Sequence, residues 1–299
     1  MGAPMSVSII APVSLQTQQS FEAEIKAEIL LHCHNAGAQL YDVLCYHFQH
    51  MGSCQRAILC YQTAQSLGID HQPSLKLAAI VEILHNASLI HDDIQDKDTM
   101  RRESLSLWFK YGQDIALCAG DSLILSACQL AAEVSTSSAA SLSSIVSLAA
   151  QRTIRGQVAD LSSSTQLSSG SYRAVACDKA APLIQLALQL PCMFCNQLQS
   201  LDTLTLAAKD FAIAYQLYDD IMDLEMDIAS HQPNAVSLHL YETKERAVDD
   251  AVDMAKNAIL QEIHQLLDDG EARLAGIQGG LPKPLYYCMQ KLRQRLASL

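Results

Sequence analysis

The sequence predicts an all-α protein, a single large helical bundle, on three observations. Glycine and proline number only 12 and 8 in 299 residues, so long helices are permitted almost throughout. Apolar residues recur at helical spacing in one segment after another, and no region alternates with period two between turn signals. Composition does not shift along the chain, and no internal repeat marks an array.

Residues 1–20 read as a flexible lead-in and residues 21–299 as the helical domain. Phe21 to about Gln49 is the first helix, broken at Met51–Ala57, and a second runs to about Leu67. Gly68–Pro73 is a turn, after which Ser74 caps a helix carrying Lys76 to Asp96. Lys97 to Lys110 is a polar connector. Asp114–Val134 and Ser138–Leu161 are long apolar helices, and Ser162–Ser171 is the clearest loop. A helix from Tyr172 stops at Pro191, another spans Leu204 to about Asp227, and Ser230–Asn234 interrupts the pattern. Thr243 to about Leu267 is a charged amphipathic helix, and a last one follows Gly279–Pro284.

Net charge is −12, which argues against nucleic acid as a partner because that needs a basic footprint. An anionic substrate remains compatible where metal ions mediate the contact. No apolar stretch is expected to reach the roughly 18 residues of a transmembrane segment, and Met1–Gln19 lacks the pattern of a secretory signal. Ten scattered cysteines fit free thiols in a reducing cytoplasm. Cys192-Met-Phe-Cys195 has no second pair, and His32 and His34 point apart on a helix, so neither reads as a metal or redox site.

The chemistry concentrates in two acidic clusters. Asp92, Asp93 and Asp96 end one apolar run, and Asp219, Asp220 and Asp223 repeat the spacing inside another. At 3.6 residues per turn the first and last of each trio lie one above the other. Such carboxylates repel, so a helix does not gather them for stability. A hard cation explains them: Mg²⁺ takes oxygen ligands and is usually held by one or two carboxylates plus substrate phosphates. The spacing excludes an EF-hand loop. A solvated acidic face is the competing reading, and the Leu, Ile, Met and Tyr framing of both copies opposes it.

Cations follow. Arg101 and Arg102 lie just beyond the first cluster, suited to bidentate phosphate contacts or to a plain surface pair. Lys179 enters an apolar helix, either aimed inward or snorkelling to solvent. Gln216 lies three residues before Asp219 and can hydrogen-bond a phosphate or a bound water. His85 lies two turns before Asp92, as ligand or core histidine.

Glu82 to Asp96, then Arg101-Arg102, Tyr111-Gly112 and Ala119-Gly120-Asp121, resemble the trans-isoprenyl diphosphate synthase (polyprenyl synthetase) family. Gly156-Gln157 with Asp160, Lys179, and Tyr215-Gln216 with Asp219 to Asp223 continue the match in order. The resemblance implies the isoprenoid synthase fold, a helical bundle around a central cavity, usually a homodimer with three Mg²⁺ ions. It implies an enzyme, a Mg-dependent trans-prenyltransferase that ionises an allylic prenyl diphosphate and condenses it with isopentenyl diphosphate, as farnesyl and geranylgeranyl diphosphate synthases do. Carried over by position, Asp92, Asp96 and Asp219 are metal ligands, supported by Asp93, Asp220 and Asp223. Arg101, Lys179 and Gln216 hold the allylic diphosphate; Arg56, His85 and Arg102 hold isopentenyl diphosphate. The small Ala87 and Ser88 stand where a bulky aromatic blocks the prenyl tail in the family, leaving room for a longer chain.

The sequence departs from the family at one place above all. Where Gly-Gly-Lys-Arg-x-Arg-Pro is usual, it reads Met51-Gly-Ser-Cys-Gln-Arg-Ala57, so Ser53 and Cys54 replace two cations of the acceptor site. Glu103 stands where Gly is usual, Lys179 is followed by Ala180 instead of Thr, and Leu224–Ser237 carries no lysine. Besides chain elongation, two alternatives follow: a class I terpene synthase or prenyltransferase with another acceptor, and a non-catalytic regulatory subunit.

Overall fold

The computed structural model describes residues 15–135, 137–162, 169–230, 232–243 and 250–299. Its elements are α1 (Leu15–Cys33), a 3₁₀ turn (His34–Ala36), α2 (Ala38–His47), α3 (Gln55–Ser66), α4 (His71–Gln95), β1 (Met100–Arg101), β2 (Ser104–Leu105) and α5 (Leu107–Tyr111). They continue as α6 (Gln113–Glu133), α7 (Ala139–Ser162), α8 (Ser169–Phe194), α9 (Leu201–Met222) and α10 (Leu224–Ser230). α11 (Ala235–Thr243), α12 (Ala251–Ala275) and α13 (Lys283–Leu296) complete the fold. The all-α class holds, and the short β1–β2 pair is the one departure among the described residues. Most of the lead-in and most of the Ser162–Ser171 loop lie outside the described residues.

The elements fall into two compact units. The first comprises the chain to Ala150 with Leu186–Leu198; the second comprises Gln151–Gln185 with Gln199–Leu299. In the first, α4 is the central helix. Leu77 to Leu84 are buried without a break, the pattern of a helix enclosed on all sides, and it packs on α1, α3 and α6. In the second, α9 lies on α12. The small Ala207, Ala208, Ala212 and Ala214 let the helices approach, and Phe211, Leu217, Ile259, Ile263 and Leu267 fill the contact.

Several boundaries differ from expectation. The first helix is divided at Gly37, whose φ of 85° suits glycine. Ser74 does not cap α4 but lies buried inside its first turn, its hydroxyl donating to the Ile69 carbonyl at 3.1 Å. Pro73 is tolerated there because the first turn of a helix has no use for its missing N–H. Pro191 does not stop α8, which runs through it to Phe194, since the neighbouring Leu186, Leu188, Leu190 and Cys192 are wholly buried and hold the segment in register. The Leu204–Asp227 segment is two helices, α9 and α10, meeting at Asp223.

The expectation that no segment reaches spanning length fails for α6. Over an 18-residue window its mean hydropathy is 1.6, enough by length and composition to cross a membrane. Packing on α4 accounts for one face, which buries Ala116, Ala119, Leu123, Ala127 and Leu130. Leu117 and Leu125 remain exposed. All ten cysteines are free, and six are buried.

Candidate active site

The two acidic motifs are built alike, each at the C-terminal end of a helix. Asp96 is the C-cap of α4 and donates its backbone N–H to the Asp92 carbonyl at 2.8 Å. Asp223 is the C-cap of α9 and donates to the Asp219 carbonyl, also at 2.8 Å. In each trio the middle aspartate is buried, Asp93 to 2% and Asp220 to 3% exposure, while its companions reach solvent.

In the first unit Asp93 accepts from Arg101 Nε at 2.7 Å and from Arg101 Nη2, and Arg101 also approaches Asp98 at 3.6 Å. Burial raises the Asp93 carboxyl above the usual carboxylate range, and Arg101 opposes that rise. Arg101 reaches this point from β1, whose hairpin turns at Arg102 and Glu103. Arg102 leans over Gly52, where an added Cβ would meet its guanidinium at 2.8 Å. It donates to the His50 carbonyl at 3.1 Å and approaches Asn86 Oδ1 at 3.4 Å.

Arg56 Nη1 donates to His85 Nε2 at 3.3 Å. Burial, then Arg56 and Arg102, push His85 well below its ordinary range, so it is a neutral ring accepting at Nε2. Beneath them Glu82, 1% exposed, accepts from Asn86 Nδ2 at 3.1 Å; burial raises its carboxyl and the two arginines pull it down. Ser53 is half-buried, and Cys54 is buried with its thiol donating to the Gly52 carbonyl at 3.4 Å. Ala87 is in the core, and Ser88 donates to the His85 carbonyl at 2.8 Å.

In the second unit Asp220 accepts from Tyr172 Oη at 2.7 Å, Gln216 Nε2 at 3.0 Å and the Ala235 backbone N–H at 3.1 Å. Asn234 donates to the Asp220 backbone carbonyl at 2.6 Å and to Asp227 at 2.8 Å. Lys179 is paired with Asp160 at 2.8 Å, not snorkelling alone. Gly156 permits this: α7 and α8 approach so closely there that a Cβ would lie 2.5 Å from the Asp178 carbonyl carbon.

The predicted residues are thus brought into pairs: Arg101 with Asp93, Arg56 with His85, Lys179 with Asp160, and Gln216 with Asp220. Tyr172, Asn234, Glu82 and Asn86 are added; the last two sit inside the Glu82–Asp96 stretch, whereas Tyr172 and Asn234 had no local signal. Among the described residues no three carboxylate, imidazole or thiol side chains gather into a ready-made metal cluster. The donor set still fits Mg²⁺, since the solvent-reaching members of both motifs offer only oxygen, and Mg²⁺ draws its remaining ligands from water and phosphate.

The family model described as Polyprenyl synthetase matches residues 38–237. Over 176 residues the chain is 28% identical to (2E,6E)-farnesyl diphosphate synthase of Mycobacterium tuberculosis, covering 58% of this chain and 49% of that protein. Over 209 residues it is 32% identical to farnesyl diphosphate synthase of Haemophilus influenzae, covering 66% and 70%. The aligned region therefore spans about half the length of the mycobacterial relative. Among solved structures, geranylgeranyl pyrophosphate synthetase from the archaeon Geoglobus acetivorans shares the fold with a TM-score of 0.82 at 19% identity, over 92% of this chain and 98% of that one.

Proposed function

This chain belongs to the polyprenyl synthetase family, and on that premise we propose that it is a trans-prenyltransferase condensing an allylic prenyl diphosphate with isopentenyl diphosphate. The observation that carries the reading is the common build of the two motifs, whose middle aspartates are fixed inside the protein and whose outer aspartates reach solvent at a helix end.

Asp92, Asp96 and Asp219 would hold Mg²⁺, three ions in all, with Asp223 supporting. Bound Mg²⁺ supplies neutralisation of the charge that builds on the diphosphate as its C–O bond breaks. Asp93 and Asp220 hold the motifs in place. Arg101, Lys179 and Gln216 present N–H donors to the allylic diphosphate. Arg56, Arg102 and the neutral His85 orient the isopentenyl diphosphate. Its double bond attacks the allylic cation, and the proton goes to the departed diphosphate. With Ser53 and Cys54 in place of two cations, the acceptor should bind weakly, each charge-assisted contact being worth about 1.5–3 kcal/mol.

Residues 21–299 act as one catalytic domain in this reading, and its ten free thiols suit a cytoplasmic enzyme. A homodimer is supported by the exposed Leu117 and Leu125 of α6 and Leu148 of α7. The α6 and α7 helices are tied to each other by Ser143 Oγ donating to the Cys128 carbonyl at 3.4 Å.

The test is incubation with geranyl, farnesyl and geranylgeranyl diphosphates in Mg²⁺, with and without isopentenyl diphosphate, with products read by mass spectrometry. Longer diphosphates formed only with isopentenyl diphosphate support the proposal. Hydrocarbon or alcohol formed without it, or activity only after a partner protein is added, would overturn it.

A further inference from the structure

Asp220 stands inside a closed hydrogen-bond system that the two-motif reading leaves unexplained. Its Oδ2 takes the Tyr172 hydroxyl at 2.7 Å and the Ala235 N–H at 3.1 Å, and its Oδ1 takes Gln216 Nε2 at 3.0 Å. These donors are all uncharged, an unusual environment for an aspartate 3% exposed. Burial raises its carboxyl, and the bonds from Gln216, Tyr172 and Ala235 draw it back down. The backbone of the same residue is held from the other direction. α9 ends at Met222, so the Asp220 carbonyl is one of the last four of the helix, which lack an intrahelical donor. Asn234, wholly buried, supplies that donor at 2.6 Å. Its own Oδ1 accepts from the Val236 N–H at 2.9 Å, which fixes the orientation of the amide.

Tyr172 lies on α8, while Asn234 immediately precedes α11. Through Asp220 the end of α9 is therefore pinned at its side chain and at its backbone by two different elements. Successive side chains on a helix are about 100° apart, so locking Asp220 inward sets the direction in which Asp219 and Asp223 leave the helix. We propose that Tyr172 and Asn234 are positioning residues of the second aspartate motif, which aim Asp219 at the metal by clamping Asp220 at its carboxylate and its carbonyl. The proposal rests on the reading of Asp219 as a metal ligand.

Tyr172→Phe keeps the ring and removes the hydroxyl bond, and Asn234→Asp keeps the size and removes the amide donor. In the full chain, each should raise the Mg²⁺ concentration for half-maximal activity about tenfold, while kcat at saturating Mg²⁺ stays within about twofold. Manganese binding in the presence of inorganic pyrophosphate, read by electron paramagnetic resonance, should weaken by a similar factor. A lowered melting temperature with unchanged metal dependence in both variants would overturn the proposal, leaving a purely structural role. Asp219→Ala separates the two levels. Normal manganese binding in that variant removes the metal-site reading and this proposal with it. Lost binding there, with unaltered binding in both other variants, overturns the positioning role alone.

Discussion

The guanidinium of Arg101 closes on the carboxylate of Asp93, with Nε 2.7 Å from Oδ1, while Asp96 of the same motif stands in solvent. One motif therefore contains a structural and a solvent-facing aspartate. Removing one partner of a buried pair strands the other, at a cost of several kcal/mol, but Arg101 keeps 30% exposure and water screens part of that cost. Asp93→Asn should lower the unfolding free energy by about 2 kcal/mol and Asp96→Asn by less than about 0.5 kcal/mol. Urea denaturation of the two variants measures the difference, and equal effects would refute the division of labour.

The turn between β1 and β2 holds two residues with positive φ, Arg102 at 49° and Glu103 at 66°. Two such residues make the hairpin turn that matches the strand twist, and a side chain there costs roughly 1–2 kcal/mol. Arg102 keeps its place through its contacts with His50 and Asn86. Glu103 is exposed. Glu103→Gly relieves the strain and gives back part of the gain through the freer unfolded chain, for a net stabilisation of about 0.5–1 kcal/mol. Differential scanning calorimetry should show a raised midpoint with unchanged activity.

Much of this molecule was legible in the chain, and the limits have physical causes. Enclosed helices such as α4 announce themselves because apolar residues occupy every face. The break at Gly37 was invisible because one glycine inside an apolar pattern is as compatible with a helix as with a hinge. Pro191 misled because local propensity yields to burial, and its neighbours are all in the core. The hairpin was too short to show alternation. Both aspartate motifs were readable because their spacing is local. What Asp220 binds was not, since Tyr172 lies 48 residues and Asn234 14 residues away.

His47 donates toward Asn86 Oδ1 at 3.1 Å, and burial, with Arg102 adding to it, lowers its pKa to about 4. An unfolded histidine titrates near 6.5. The unfolded state therefore binds the proton first, and the stability this group contributes is complete above about 6.5 and lost as pH falls toward 4. A shift of that size sets an upper limit of about 3 kcal/mol, reduced because the residue is only half-buried. His47→Gln keeps an amide donor to Asn86. Its urea midpoint should fall less steeply than the parent's between pH 6.5 and 4, and parallel curves would show that His47 titrates in the fold as it does in the unfolded chain.

Leu125 is 70% exposed on α6, with Leu117 about two turns away at 40%. Apolar exposure of this kind on a helix is paired in a dimer or prone to association. Leu125→Lys should convert the proposed homodimer to a monomer by light scattering at micromolar concentration, without loss of helical circular dichroism. An unchanged dimer mass would place the interface elsewhere, and a monomeric parent would remove the homodimer reading.

Gly156 is where α7 meets the backbone of α8. A Cβ there would lie 2.5 Å from the Asp178 carbonyl carbon, 2.6 Å from the Lys179 nitrogen and 2.7 Å from the Asp178 oxygen. None of these is the end of a flexible side chain, so the helices themselves must part. Overpacking of this kind costs about 1–3 kcal/mol. One turn along, Lys179 is paired with Asp160 at 2.8 Å, so parting the helices also displaces a cation proposed to hold the allylic diphosphate. Gly276 gives the control, because its nearest neighbour to an added Cβ is the Arg273 carbonyl oxygen at an ordinary 3.6 Å. Gly156→Ala should lower the melting temperature by several degrees and raise the KM for the allylic diphosphate, and Gly276→Ala should do neither. A Gly156→Ala enzyme with the parent's KM would show that Lys179 does not depend on this helix contact.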